Sequence, residues 1–578
     1  MSNQTDLSKR SFLRFAAGSA ATAAVLETTA STAAAAQTPL TSPATTPWVQ
    51  SLPVPNAVGG AAIAAVASGS GCEKALPNFN GCTCPTGETT NATHQALAAC
   101  PPMDAYEIDI RTIQHKWHPK LPASEMFGYG GTVPGPTFMA KYGRPFVVRF
   151  HNNMTAPTKG NFSIPQTAIH FHNLHAPAES DGYPDDYIPQ GTYRDHHYVM
   201  YQAGKDTLRE VNNTMWYHCH RHDFTSHNVY RGLAGFFLAF DELDSGDEKD
   251  SNPKALRLPS GYGKYDIPIV FQDPMFDASG QLAFDPFNTD GIIGDKFAAN
   301  GAIQPFLNVD RRRYRFRFLV GSVSRVWQLH LSQADPKTDK PLKDLAWTAI
   351  ANDGNLLPKA VSMPNLLTSP ATRHDVVIDF SQFKKGDVLY IENRMEQVNG
   401  RGPTGTILPA GSGRVLKIIV GDLPSQLDSS LPVAVGRALR PAPPVPVSSA
   451  KFTGTRRNFK FDRGNGVWTV NGIPVDLSKP SFTIPKNGGP EIWTLSGSGG
   501  WWHPIHIHFE EAIILTRDGK PTPFANEVNA RKDVFLVRGS ETIEIYYQGF
   551  RDFTGHYVMH CHNTVHEDHA MMLRWDIA

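Results

Sequence analysis

A chain of 578 residues has room for about two to four domains and a sizeable buried core. Lys+Arg 54 balance Asp+Glu 54, which excludes a polyanion partner such as nucleic acid as the main driver of function. Gly 48 and Pro 45 suit a turn-rich, all-β chain, and 23 histidines raise the prior for a metal site before any motif is read.

The N-terminus reads as an export leader over residues 1–36. Ser8-Lys9-Arg10-Ser11-Phe12-Leu13-Arg14 resembles a twin-arginine motif with Lys9 in the first arginine position, and Ala34-Ala35-Ala36 offers a small-residue cleavage site. A Sec-type or unprocessed leader is the other reading. The stretch is too short and too polar for a membrane span, and no other stretch reads as one. An exported protein at the periplasm, cell surface or outside the cell is expected, with no stable membrane insertion. Residues 37–102 read as a linker and an insert carrying Cys72, Cys82, Cys84 and Cys100. Two disulfides of unknown connectivity are expected there, and a zinc knuckle is the rival.

Strand signals follow. Phe146–Phe150, Tyr314–Phe318 and Thr542–Tyr546 are short β-rich runs, the last two alternating in polarity. A loose repeat places Pro136, Pro305 and Pro474 169 residues apart each time. That length suggests tandem β-sandwiches at 103–245, 255–425 and 450–578, with linkers at Asp241–Lys254 and Pro441–Ser449.

Four segments carry the chemistry: Ile169-His170-Phe171-His172, Tyr217-His218-Cys219-His220, His503-Pro504-Ile505-His506-Ile507-His508, and His560-Cys561-His562 followed by His566 and Met571. On a strand, alternate side chains share a face, so each His-x-His pair presents both imidazoles together. Eight such imidazoles are too many for one zinc and fit several copper ions. One pair arises by chance; four, in the first and third units only, do not.

Cys561 points away from its two flanking histidines. With His503, His566 and a weak axial Met571 it forms the His₂Cys-plus-Met set of a blue-copper electron-transfer site. One strand would then carry an electron-entry site on one face and a copper cluster on the other.

These motifs resemble those of multicopper oxidases, and His-Pro-Ile-His-Ile-His with His-Cys-His-x3-His-Glu-Asp-x2-Met-Met is most similar to the bilirubin oxidase and bacterial spore-coat laccase branch. The resemblance covers most of 103–578. It implies three cupredoxin-like Greek-key sandwiches and four copper ions. It implies a type 1 copper on His503, Cys561, His566 and Met571, and a type 2 copper on His170 and His506. The type 3 pair would take His172, His218, His220, His508, His560 and His562. It further implies one-electron oxidation of phenols, aromatic amines or bilirubin-like donors coupled to reduction of O₂ to water, by a monomer. Glu567 and Asp181 match acidic positions that serve the cluster with protons. Proton relay suits both, and Asp181 as a turn cap before Gly182 is the alternative.

Two departures stand out. Cys219 also lies between histidines, but Phe224 occupies the position five residues on where a second blue-copper site needs His. Cys219 therefore reads as a packed free thiol. Asn173 stands where relatives carry Gly. His175, His222, His227 and His569 read as supporting or surface residues rather than ligands.

Donor identity is less legible. His503 is expected to be the exposed mononuclear ligand, with Trp501 and Trp502 lining a shallow aromatic cleft or serving as core. Thirteen methionines without a Met-rich segment make a Cu(I) or Mn(II) metallo-oxidase the second choice. A non-enzymatic copper electron carrier needs only the Cys561 site, and a copper nitrite reductase lacks a full type 3 set. The eight-imidazole set argues against both.

Overall fold

The computed structural model of the protein describes residues 41–578 apart from 59–66, 70–78, 81–83, 86–102, 161, 201–210, 447 and 551–552. The leader therefore lies outside the described residues, as do Cys72, Cys82 and Cys100. Cys84 is described only as backbone in the strand Cys84–Pro85. Among the described residues no helix is long and apolar enough to cross a membrane.

The fold is all-β, as the Gly and Pro content indicates. Among the described residues, besides one two-stranded sheet, six sheets of five to seven strands stack in pairs into three sandwiches that follow one another in the chain. In the first, the sheet holding Gly135–Lys141, Ala234–Phe240, Thr214–Cys219 and Ile169–His172 faces one holding Tyr193–Tyr198, Phe146–Asn153 and Met103–His115. Ile108, Val148 and Phe150 from one sheet meet Ile169, Phe171 and Tyr217 from the other. The second sandwich closes around Phe316, Phe318, Trp327 and Trp347, and the third around Trp493, Ile505, Ile545 and Trp575. We propose 103–245, 255–425 and 450–578 as the limits of these units.

The three short runs singled out above lie in the strands Phe146–Asn153, Arg313–Val320 and Thr542–Tyr547. The last shows the expected period of two, with Ile543, Ile545 and Tyr547 buried and the residues between them half-buried. The repeat of prolines is looser than its spacing suggests: Pro136 lies in a strand and Pro305 directly precedes one, whereas Ile473-Pro474 sits in the turn after the strand Val467–Val470.

Thr214–Cys219 departs from half-buried alternation, because all six of its residues are buried. One face fills the first sandwich. The other turns toward the third unit and carries histidines.

Candidate metal centres

Four strands build the larger centre. Ile169–His172 pairs antiparallel with Thr214–Cys219 so that His170 lies opposite His218. In the third unit Trp502–Ile507 pairs with Gly555–Cys561 so that His506 lies opposite His560. Each ladder presents its histidines on one face, and the two faces meet across the seam between first and third units. His170 Nε2 lies 3.3 Å from His506 Nε2, and His220 Nε2 lies 3.1 Å from His560 Nε2.

The eight imidazoles sort into three groups by position: His170 and His506, joined closely by His172; His172, His218 and His562; and His220, His508 and His560. All eight are buried. Burial pushes His218 down to about 3 and His220 to about 4, and holds His170, His172, His506, His508 and His562 well below the usual imidazole value. Neutral rings with lone pairs turned on one another are poor neighbours unless a cation sits between them. His218 Nε2, His172 Nδ1 and both nitrogens of His562 are buried without a hydrogen-bond partner. Orphaned acceptors of this kind fit metal ligands.

Seven of the eight rings turn one nitrogen to a nearby oxygen, which selects the tautomer, and His562 does not. Asp181 serves two rings. Its backbone oxygen takes His170 Nδ1 and its Oδ2 takes His508 Nδ1 at 2.6 Å. Glu567 lies 2.9 Å from His560 Nδ1 and 3.3 Å from His220 Nδ1. Burial pushes the Asp181 carboxyl well up. It pushes Glu567 up as well, but His560 and His220 pull that carboxyl down to about 2. Asp181 ends the short helix Ala178–Asp181 before left-handed Gly182. It thus occupies a turn and also touches the cluster.

The smaller centre lies on the far face of the strand Gly555–Cys561. Cys561 Sγ is 3.5 Å from His503 Nδ1 and 3.7 Å from His566 Nδ1, and the two Nδ1 atoms are 3.3 Å apart. This compact triangle suits a trigonal His₂Cys site. Met571 is fully buried in the same apolar cluster as Cys561. His566 stacks on Trp468 at 3.9 Å between ring centroids.

The chain matches two family models, each described as multicopper oxidase, one over residues 112–243 and one over 441–578. It is 33% identical over 473 residues to the bilirubin oxidase of Albifimbria verrucaria, covering 81% of this chain and 75% of that one. The chain is a multicopper oxidase. The oxidase is also 26% identical to a laccase of Bacillus subtilis, over 82% of this chain and 94% of that one. In structure it is similar to a multicopper oxidase of Pediococcus acidilactici, with TM-score 0.68, 22% identity and 93% of both chains covered. The oxidase is a copper-dependent oxidoreductase with O₂ as acceptor, and its complement is four coppers: one type 1, one type 2 and a type 3 pair.

One expectation needs correction. His503 is not an exposed ligand: both His503 and His566 are 0% exposed. A segment of the second unit covers His566, with the backbone oxygen of Asp290 3.0 Å from its Nε2. Trp501 and Trp502 are both half-buried. Half-buried Trp501 borders the small centre, 4.6 Å edge-on from Trp468 and under Arg401. Trp502 lies instead against Gly402.

The departures have physical accounts. Asn173 has φ 71°, in the left-handed region, which Asn tolerates better than most side chains. Cys219 is buried in the first core with no disulfide, and the Asn228 amide lies 3.3 Å from its sulfur. His175 packs on Phe509 and Phe553, and His222 pairs with Asp185.

Sequence reasoning missed Asp533, Trp468 and Asp290. Asp533 contacts His172 and His506, and no local pattern of histidines surrounds it.

Proposed function

We propose that this oxidase takes single electrons from small aromatic donors at the centre formed by His503, Cys561, His566 and Met571. The donors are phenols, aromatic amines or bilirubin-like molecules. O₂ is reduced at the centre held by His170 and His506 together with His172, His218, His220, His508, His560 and His562. The observation that carries this reading is the strand Gly555–Cys561, which places Cys561 in one centre and His560 in the other, with His562 next in the chain.

Copper, when bound, supplies the one-electron steps at the first centre and the four-electron reduction of O₂ at the second. The protein's own part is geometric and protonic. Asp181 and Glu567 each orient two imidazoles and stand within hydrogen-bond reach of the cluster, so they are placed to hold and pass protons to reduced oxygen. The backbone at Asp290 covers His566. Trp501 offers a half-buried aromatic face on which a planar donor can stack.

A copper count on the fully loaded protein tests this, joined to visible and EPR spectra and to O₂ uptake with a phenolic dye, bilirubin, Mn(II) and Cu(I). Uptake with the organic donors is expected. Uptake with the metal ions alone would favour the metallo-oxidase reading. Fewer than three coppers, or no uptake with any donor, would sink both.

Residues 1–36 are proposed as an export leader. Cys72, Cys82, Cys84 and Cys100 are proposed to form two disulfides in the exported, monomeric protein. N-terminal sequencing of the mature chain, thiol titration and light scattering check these points.

A further inference from the structure

Three buried carboxylates touch the histidine cluster, and each reaches one ring from the first unit and one from the third. Asp181 and Glu567 are two of them. The third is Asp533. Its Oδ1 lies 3.3 Å from His172 Nε2, and its backbone oxygen accepts from His506 Nδ1 at 3.0 Å. Asp533 differs from the other two in being gripped by a cation.

Arg373 donates to Asp533 through both ends of its fork, Nη1 to Oδ1 at 2.9 Å and Nη2 to Oδ2 at 2.6 Å. The same guanidinium donates to the backbone oxygens of Ala371 and Asp353, each at 2.9 Å, and its Nε reaches the Thr214 oxygen at 3.4 Å. Arg373 belongs to the second sandwich, Asp533 to the third, and Thr214 begins the first-unit strand that carries His218. One fully buried side chain therefore ties all three units together beside the cluster. Lys532 reinforces the tie, with Nζ 2.8 Å from Asp353 Oδ2.

We propose that Arg373 and Asp533 are positioning residues of the copper cluster. Arg373 fixes the Asp533 carboxylate, which fixes the orientation and tautomer of His172, while the Asp533 backbone oxygen holds His506. The second unit, which contributes no imidazole, thereby reaches the side of the cluster where His172 stacks on His506. The proposal rests on the ligand assignment given above. Arg is required rather than any cation, because a planar fork can meet a carboxylate with two parallel bonds while its remaining N–H groups hold the backbone. Removing an outer partner of a ligating imidazole typically costs about 10–100-fold in metal affinity or activity.

The test uses Arg373→Lys and Asp533→Asn, both close in shape to the residues they replace. Arg315→Lys serves as a control. Arg315 is an equally buried, doubly paired arginine on Asp244 and Asp375 that touches no histidine of the cluster. Copper-loaded proteins are titrated with a chelator while the type 2 EPR signal and the blue absorption are followed. The expected result is that Arg373→Lys and Asp533→Asn lose cluster copper, read as the type 2 signal and as total copper, at ~10–100-fold lower chelator concentration, with the blue band intact. Arg315→Lys should lower the melting temperature but release type 2 copper like the wild type. Unchanged type 2 retention in the first two variants, or equal loss in the control, overturns the proposal. Failure of the wild type itself to hold cluster copper overturns the ligand assignment instead, and with it this proposal.

Discussion

The Nε2 of His566 meets the backbone oxygen of Asp290 at 3.0 Å, so a strap from the second unit closes the mononuclear centre from outside. Arg463 holds that strap, donating to Asp290 Oδ1 at 2.8 Å and to Thr289 Oγ1 at 2.7 Å. Trp468 donates its indole N–H to the Thr289 oxygen at 2.7 Å while stacking on His566. Gly291 completes the strap at φ 127°, where a Cβ would come within 2.9 Å of the Gly400 Cα. The strap peptide and Trp501 are thus both in contact with His566.

Arg463→Ala should loosen this cover. The ion pair is about one-third exposed on each side, so its loss costs stability by about 1 kcal/mol or less. Bulky phenols should then reduce the blue centre faster under anaerobic stopped flow, with small donors little changed. Equal rates for bulky donors in variant and wild type would show that the strap does not limit access.

Glu567→Gln keeps the shape of the side chain that spans His220 and His560 but cannot exchange a proton at working pH. Turnover with O₂ should fall about 10²-fold. Anaerobic reduction of the blue centre by donor should stay near wild type, because Cys561, His503 and His566 do not contact Glu567 through its carboxylate. Asp181→Asn should behave alike. Wild-type turnover at every pH in Glu567→Gln would sink the relay role.

The two His-Cys-His segments predict opposite outcomes. Cys561→Ser should abolish the blue band while the cluster histidines still bind metal. Cys219→Ala should keep the blue band and full copper content, at a cost of about 1 kcal/mol for the small cavity left in the first core. Thr167 and Asn228 flank the Cys219 sulfur. Loss of any copper signal in Cys219→Ala would give that thiol a role in metal binding.

What could be read from the chain was whatever obeys a local period. His-x-His on a strand shares a face by geometry alone, and Cys561 must then face the other way. The acids at 181 and 567 were legible because they match acidic positions that the family carries beside its histidine motifs. Arg373 and Asp533 were not, being 160 residues apart with neither inside a histidine motif. The burial of His566 was hidden for the same reason, since its cover arrives from 276 residues away. Contacts of that span follow from how sandwiches pack, and no window of the sequence encodes them.

His374 gives the protein an acid-sensitive seam apart from the copper chemistry. It is 2% exposed between the second and third units, and both its ring nitrogens are buried without a hydrogen-bond partner. Burial, with Lys532 nearby, pushes it down to about 4. The unfolded chain takes up this proton near pH 6.5. Between about pH 6.5 and 4 the unfolded state therefore binds more protons than the folded one, and stability falls as pH falls through that window. At pH 4.5 the loss attributable to His374 is roughly 2–3 kcal/mol, on the scale of ~1.4 kcal/mol per pH unit. His374→Gln cannot protonate and gives up no hydrogen bond. Urea unfolding of the copper-loaded proteins at pH 7 and 4.5 should show the wild type losing more stability than the variant by about that amount. Equal losses in the two proteins would place the acid sensitivity elsewhere.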